Sequence, residues 1–162
     1  ILITPCFAFA TTANTLVSRT IGNGHPEQVF SIINKILKNY LICTIPIVIF
    51  VAIFPMQVVA IYTDDLSFAQ LVIPSIFVIC GATIFQGIGN AYFEAVSGTG
   101  NTSAALYLEA AILVIYVLFI VAMTHLSTQV ELVWTVEILY GVLLGIVCFL
   151  YMKFAKWDKK MI

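Results

Sequence analysis

Three long stretches carry no charge: the residues between Lys38 and Asp64, between Asp65 and Glu94, and between Glu109 and Glu131. About 20 apolar residues, rising 1.5 Å each, cross a hydrocarbon core of roughly 30 Å. Runs of this length with only polar punctuation between them predict helices that span a bilayer, because a backbone in lipid must satisfy its own hydrogen bonds. The pattern predicts five spans, at about 1–22, 35–62, 67–97, 102–125 and 130–154. The fold class is all-α, a polytopic transmembrane helical bundle. Gly22-Asn23-Gly24-His25-Pro26, Pro55 with Thr63-Asp64-Asp65, Ser97–Ser103 (SGTGNTS), and His125-Leu126-Ser127-Thr128 mark the turns. Pro46 and Pro74 fall inside spans, where neighbouring helices take up the freed carbonyls.

Charge orients the spans. Arg19, Lys35 and Lys38 flank the first connector, and Lys153, Lys156, Lys159 and Lys160 follow or close the last span. With five spans these regions lie on one side, which the bias of basic residues makes cytoplasmic. Asp64, Asp65 and Glu131 fall on the other side, so the N-terminus is expected outside and the C-terminus inside. Tyr151 and Trp157 read as an interfacial anchor for the tail.

Glu94, Glu109 and Glu137 are accounted for by no loop. An ionisable group within a spanning helix costs several kcal/mol and faces a bundle interior or an aqueous cavity in most cases. Thr83, Gln86, Gly87, Asn90, Glu94 and Ser97 follow three- and four-residue steps and form one polar, small-residue stripe. Such a stripe lines a cavity or packs closely against another helix. The cation-coupling candidates are therefore Glu94, Glu109 and Glu137, with Glu94 and Glu109 expected at similar depth beside the SGTGNTS connector. Thr83, Gln86, Asn90, Tyr107, Tyr116 and Tyr140 are candidates for lining the cavity and holding a flat cation by stacking and cation–π contact.

Composition narrows the classes further. The chain is 62% hydrophobic and 9% charged, outside the range of soluble domains. A net charge of −1 argues against nucleic acid, which calls for a basic surface. Cys6, Cys43, Cys80 and Cys148 are scattered through apolar runs and read as buried, inert thiols, with no metal-ligand spacing. The N-terminal run lacks a basic start and is not a signal peptide. No GxxxxGK[ST], HExxH or GxSxG pattern is present, so the chain does not read as an enzyme and calls for no cofactor.

Ala10–Glu27 (ATTANTLVSRTIGNGHPE) resembles the helix-and-loop signature of multidrug and toxic compound extrusion (MATE) transporters. Ala95–Thr102 (AVSGTGNT) is similar to that family's later Arg-Gly-x-Gly-Asp-Thr motif, and Val133–Ile146 to its final helix. The resemblance covers essentially the whole chain in the order of spans eight to twelve of a twelve-helix protein. It implies most of the second six-helix lobe, a fragment in which residues 1–162 form a partial C-terminal lobe and an N-terminal lobe is missing. The implied activity is alternating-access export of organic cations from the cell across its inner membrane, in exchange for Na⁺ or H⁺. Its partners would be small organic cations, the bilayer and that N-terminal lobe. The motif's arginine is Ser97 here and its aspartate Asn101, and the position of a cavity aspartate in several relatives falls near Gln86. A lipid-linked oligosaccharide or polysaccharide flippase of the same superfamily is the alternative. A non-transporting structural subunit, with the acids as polar glue, is a third reading.

Overall fold

The computed structural model describes residues 3–126, 129–155 and 157. Helix α1 (Thr4–Gly22) leads through a 3-10 turn (Pro26–Gln28) into α2 (Val29–Ile53) and a short α3 (Pro55–Ala60). Then come α4 (Leu66–Gly98), α5 (Thr102–Leu126) and α6 (Val130–Phe154). The last three match the predicted spans to within a residue at each end. Among the described residues, four helical stretches are long and apolar enough to cross a membrane: Pro26–Ile53, Leu66–Gly98, Thr102–Leu126 and Val130–Phe154. The remaining predicted span, 1–22, corresponds to α1, whose Thr11, Thr12, Thr15, Ser18 and Arg19 make it the more polar helix. Its apolar face, Cys6, Ala10, Ala13, Val17 and Ile21, is buried while those polar residues stay exposed.

The expected 35–62 span is corrected at both ends. Helix starts six residues earlier, at Val29, so Lys35 and Lys38 lie further inside α2 than at the expected start of the span. It stops at Ile53 because Phe54 leaves helical geometry (φ −118°, ψ 47°) ahead of Pro55. Proline disfavours helix in the residue before it and supplies no N–H, so α3 begins as a separate element. The SGTGNTS connector shortens as well, since α4 runs through Gly98 and leaves only Thr99–Asn101 as the turn. Gly100 takes φ +83° there, and Gly24 φ +81° in the first connector; both are left-handed positions that glycine adopts without strain. His125, expected in a loop, belongs to the last turn of α5, and Ser127 and Thr128 lie outside the described residues.

Helix α4 is the axis of the bundle. On one side it packs along α6 and on the other along α1; α2 covers α1 and α4, and α5 rests mainly on α6. Glycines set the α4–α6 distance. A Cβ on Gly89 would sit 2.5 Å from the carbonyl oxygen of Gly141, and one on Gly141 would sit 2.6 Å from the Gln86 nitrogen. The two backbones are therefore in contact, the geometry small residues permit in membranes, where no hydrophobic force drives helices together. Gly98 does the same for α1: a Cβ there would lie 2.7 Å from the Asn14 oxygen, and Ser18 Oγ donates to the Gly98 carbonyl at 2.9 Å.

At the end holding the α4–α5 turn, Val17, Ile21, Val29, Ile33, Val96, Leu144 and Met152 form a continuous core. Asn101 Nδ2 donates to Tyr151 Oη at 2.6 Å and its Oδ1 accepts from the Ala104 amide at 3.3 Å, tying the turn to α6. Trp157, expected at the membrane interface, is instead buried in this core and donates to the Met152 carbonyl at 2.7 Å. Arg19, Lys35, Lys38 and Lys153 are all exposed. Lys156, Lys159 and Lys160 lie outside the described residues. Three cysteines are buried as expected; Cys43 is exposed, because its position on α2 faces away from α1 and α4.

Candidate functional site

The acids sort into two groups on opposite sides of α4. Glu94 faces α1, where Asn14 Nδ2 donates to its Oε2 at 2.7 Å. One turn earlier on α4, Asn90 Nδ2 donates to the Gln86 carbonyl at 2.8 Å and approaches Cys6 Sγ at 3.5 Å. These contacts place Asn90 and Glu94 of the predicted stripe against α1.

The second group lies where α4, α5 and α6 meet. Glu137 of α6 accepts two donors: Gln86 Nε2 of α4 at Oε2, and Tyr116 Oη of α5 at Oε1, 2.7 Å away. Glu109 of α5 accepts from Tyr140 Oη of α6 at 3.4 Å. The Tyr116 and Tyr140 rings meet edge to face, 5.7 Å between centroids, a favoured aromatic arrangement. Each helix thus gives one phenol to the other helix's carboxylate. Glu94 and Glu109, expected at similar depth beside the turn, have different partners: Glu94 meets Asn14, and Glu109 shares the Tyr116–Tyr140 cluster with Glu137. Both flank one turn in sequence, but α4 presents Glu94 towards α1 while α5 presents Glu109 towards α6.

The remaining candidates have other surroundings. Thr83 is 1% exposed, its hydroxyl bonded to the Ile79 carbonyl and its own carbonyl accepting Tyr40 Oη at 2.6 Å. Tyr40 lies directly over Gly87, so this part of the stripe is closed by α2. Tyr107 is 75% exposed on the outer side of α5, and the network does not include it. Sequence reasoning missed Asn14, Tyr40 and Asn101. Asn14 had a legible signal, a lone amide beside the buried register Cys6, Ala10, Ala13, Val17 and Ile21. Tyr40 had none, because the gap it fills exists only once Gly87 faces α2.

All three acids are half-buried, and every donor that reaches them is neutral. Among the described residues the one ion pair is His25–Glu27, at 3.2 Å in the exposed first connector. A carboxylate in a low-dielectric region keeps a large cost even when hydrogen-bonded, unless a proton or cation neutralises it. Among the described residues, two open grooves lie apart from the acids. One of about 270 Å³ sits between α4 and α6, bounded by Phe85, Tyr92 and Phe149 over the bare backbone of Gly141 and Gly145. The other, about 720 Å³, follows the α2 face from Asn34 to Pro46.

No curated protein and no solved structure matches the chain. The MatE family model matches residues 1–122 of the 162. A multi-pass apolar helical bundle with intramembrane carboxylates accords with that match, and the chain belongs to the MatE family of membrane transporters.

Proposed function

We propose that the protein exports organic cations in exchange for Na⁺ or H⁺ by alternating access, with Glu94, Glu109 and Glu137 as the groups that exchange one cation for another. One observation carries the reading: three half-buried carboxylates in membrane helices have amide and phenol donors but no basic counter-charge among the described residues. Such a group is neutralised by a proton or bound cation, and a second cation competes for the same oxygens. Competition for a shared charge is what couples two fluxes. Gln86, Tyr116 and Tyr140 hold the acids in position, while Thr83 and Asn90 knit α4 to its neighbours. The basic residues Arg19, Lys35, Lys38 and Lys153 favour a cytoplasmic C-terminus and a cell-membrane location.

Replacement of each glutamate by glutamine keeps shape and hydrogen bonding but removes the charge. Cells expressing each variant are tested for efflux of cationic dyes under imposed Na⁺ and pH gradients. At least one replacement is expected to abolish gradient-driven efflux while the protein still reaches the membrane. Wild-type efflux in all three variants removes these acids from the mechanism. Loss of a surface polymer on deletion, with dye efflux unaffected, supports flippase activity instead.

A further inference from the structure

We propose that the crossed Tyr116–Glu137 and Tyr140–Glu109 bonds form a charge-sensitive clasp, and that neutralising its carboxylates releases α5 from α6. The inference rests on the cation-exchange reading and adds to it the element that moves.

Helix α5 has little else to hold it. Of its 25 residues only Ala105 and Ile112 are buried, and both stand on the half nearest the α4–α5 turn. Beyond Ile112 the helix exposes Leu113, Val114, Ile115, Val117, Leu118 and Val121. In that half the polar contact with α6 is Tyr116 Oη on Glu137, with Tyr140 bonding Glu109 one turn before Ile112. A bilayer gives no hydrophobic drive to close the two helices, so packing and interhelical hydrogen bonds such as these are what hold them together.

The strength of the clasp depends on charge. An O–H donor to an ionised carboxylate makes a bond roughly twice as strong as one between neutral groups. A proton placed on Glu137 or Glu109 takes the acid from −1 to neutral, and the phenol that faced a full charge then faces a carboxylic acid. Both bonds remain possible, but each is weaker. The titratable groups facing Glu109 are Tyr140 and Cys148, both from α6. Those facing Glu137 are Tyr116 of α5 and Tyr140 of its own helix, with the neutral Gln86 reaching it from α4. No cation on these three helices replaces the lost charge among the described residues. Gln86 keeps Glu137 tied to α4 in either state, so α5 is the partner that departs. A bound Na⁺ that drew Glu137 Oε1 away from Tyr116 has the same consequence.

The test measures distance rather than transport. Spin labels are placed at exposed Leu118 on α5 and exposed Leu132 on α6, with Cys43, the exposed native thiol, replaced by serine. The protein is reconstituted in lipid nanodiscs, and pulsed dipolar spectroscopy records the interlabel distance as pH falls. A single short distance at neutral pH should give way to a growing longer population in acid. Glu137→Gln should show the longer population already at neutral pH, raised roughly tenfold for the loss of about one charged hydrogen bond, and the Tyr116→Phe/Tyr140→Phe double variant, which loses both bonds, should raise it further. The double phenylalanine variant should also lose most of its pH response. A distance distribution that is the same across pH in the wild-type background overturns the clasp, and that measurement needs no clasp variant to fold. Distances that shift while all glutamine variants transport normally sink the exchange reading and leave the clasp standing.

Discussion

Helices α4 and α5 both lie against α6, and they are held there by different physics. Along α4 the contact is backbone on backbone, set by Gly89 and Gly141 with no side chain between them. Along α5 it is side chain on side chain, two phenols and two carboxylates bridging a gap with few buried apolar residues near it. The first kind of contact has no charge to titrate and no rotamer to change, so it tolerates little sliding. The second responds to a single proton. One bundle thus contains a fixed seam and a releasable one, and α6 belongs to both. A transporter needs some helices to move as a block and others to part, and this division supplies a physical basis for it.

The comparison breaks first at the seam. Gly141→Ala adds a Cβ 2.6–2.9 Å from the backbone of Phe85 and Gln86, atoms that cannot swing aside. The expected loss is about 3 kcal/mol or more, at the upper end of overpacking costs. Gly145→Ala is the control, because its Cβ meets Gly89 at an ordinary 3.5 Å; its effect should stay under about 1 kcal/mol. Thermal unfolding of the two variants in detergent separates them, and equal melting temperatures would mean the seam is not backbone-tight.

A smaller effect is expected at the clasp. Tyr116→Phe removes a 2.7 Å bond to a half-buried carboxylate and should cost about 1.5–3 kcal/mol, the range for hydrogen bonds to charged groups. Tyr140→Phe removes one at 3.4 Å and should cost less, about 1 kcal/mol. Both keep the ring contact. The same melting measurement ranks them, and a larger loss for Tyr140→Phe would reverse the assignment of Glu137 as the stronger end.

The smallest effect belongs to the far end of α4, where pH acts on a helix cap remote from both seams. Asp65 caps the helix, its Oδ1 accepting the Ser67 amide at 2.9 Å and the Phe68 amide at 3.3 Å. The Ser67 hydroxyl and these two amides hold the Asp65 carboxyl below its ordinary value of 3.8. A depressed folded value means the stabilisation is present above the unfolded value and is lost as pH falls through the folded one. The protection of the Ser67 and Phe68 amides, measured against their intrinsic exchange rate at each pH, should therefore fall below about pH 4 in the wild type. In Asp65→Ala the protection should be low throughout and show no such step.

Much of this was legible beforehand. The borders of α4, α5 and α6 followed from charge-free runs of the right length, and Glu94, Glu109 and Glu137 stood out because lipid has no place for them. The end of α2 was harder. Pro55 marked a turn, but the residues on either side are equally apolar, so hydropathy ran straight through the break at Phe54. Cys43 and Trp157 were misplaced for a related reason: in a chain this greasy, being apolar does not say whether a side chain faces protein or lipid.

Local order along the chain was enough to establish the medium, the long apolar helices and the presence of stranded acids. All of these depend on length, on hydrogen-bond satisfaction in lipid and on the cost of charge there. Which acid meets which partner was another matter. Helical periodicity assigns a residue to a face, but the helix opposite that face comes from how closely the backbones approach. Here glycines at 87, 89, 98 and 141 set those approaches, sending Glu94 to Asn14 and drawing Glu109 into company with Glu137.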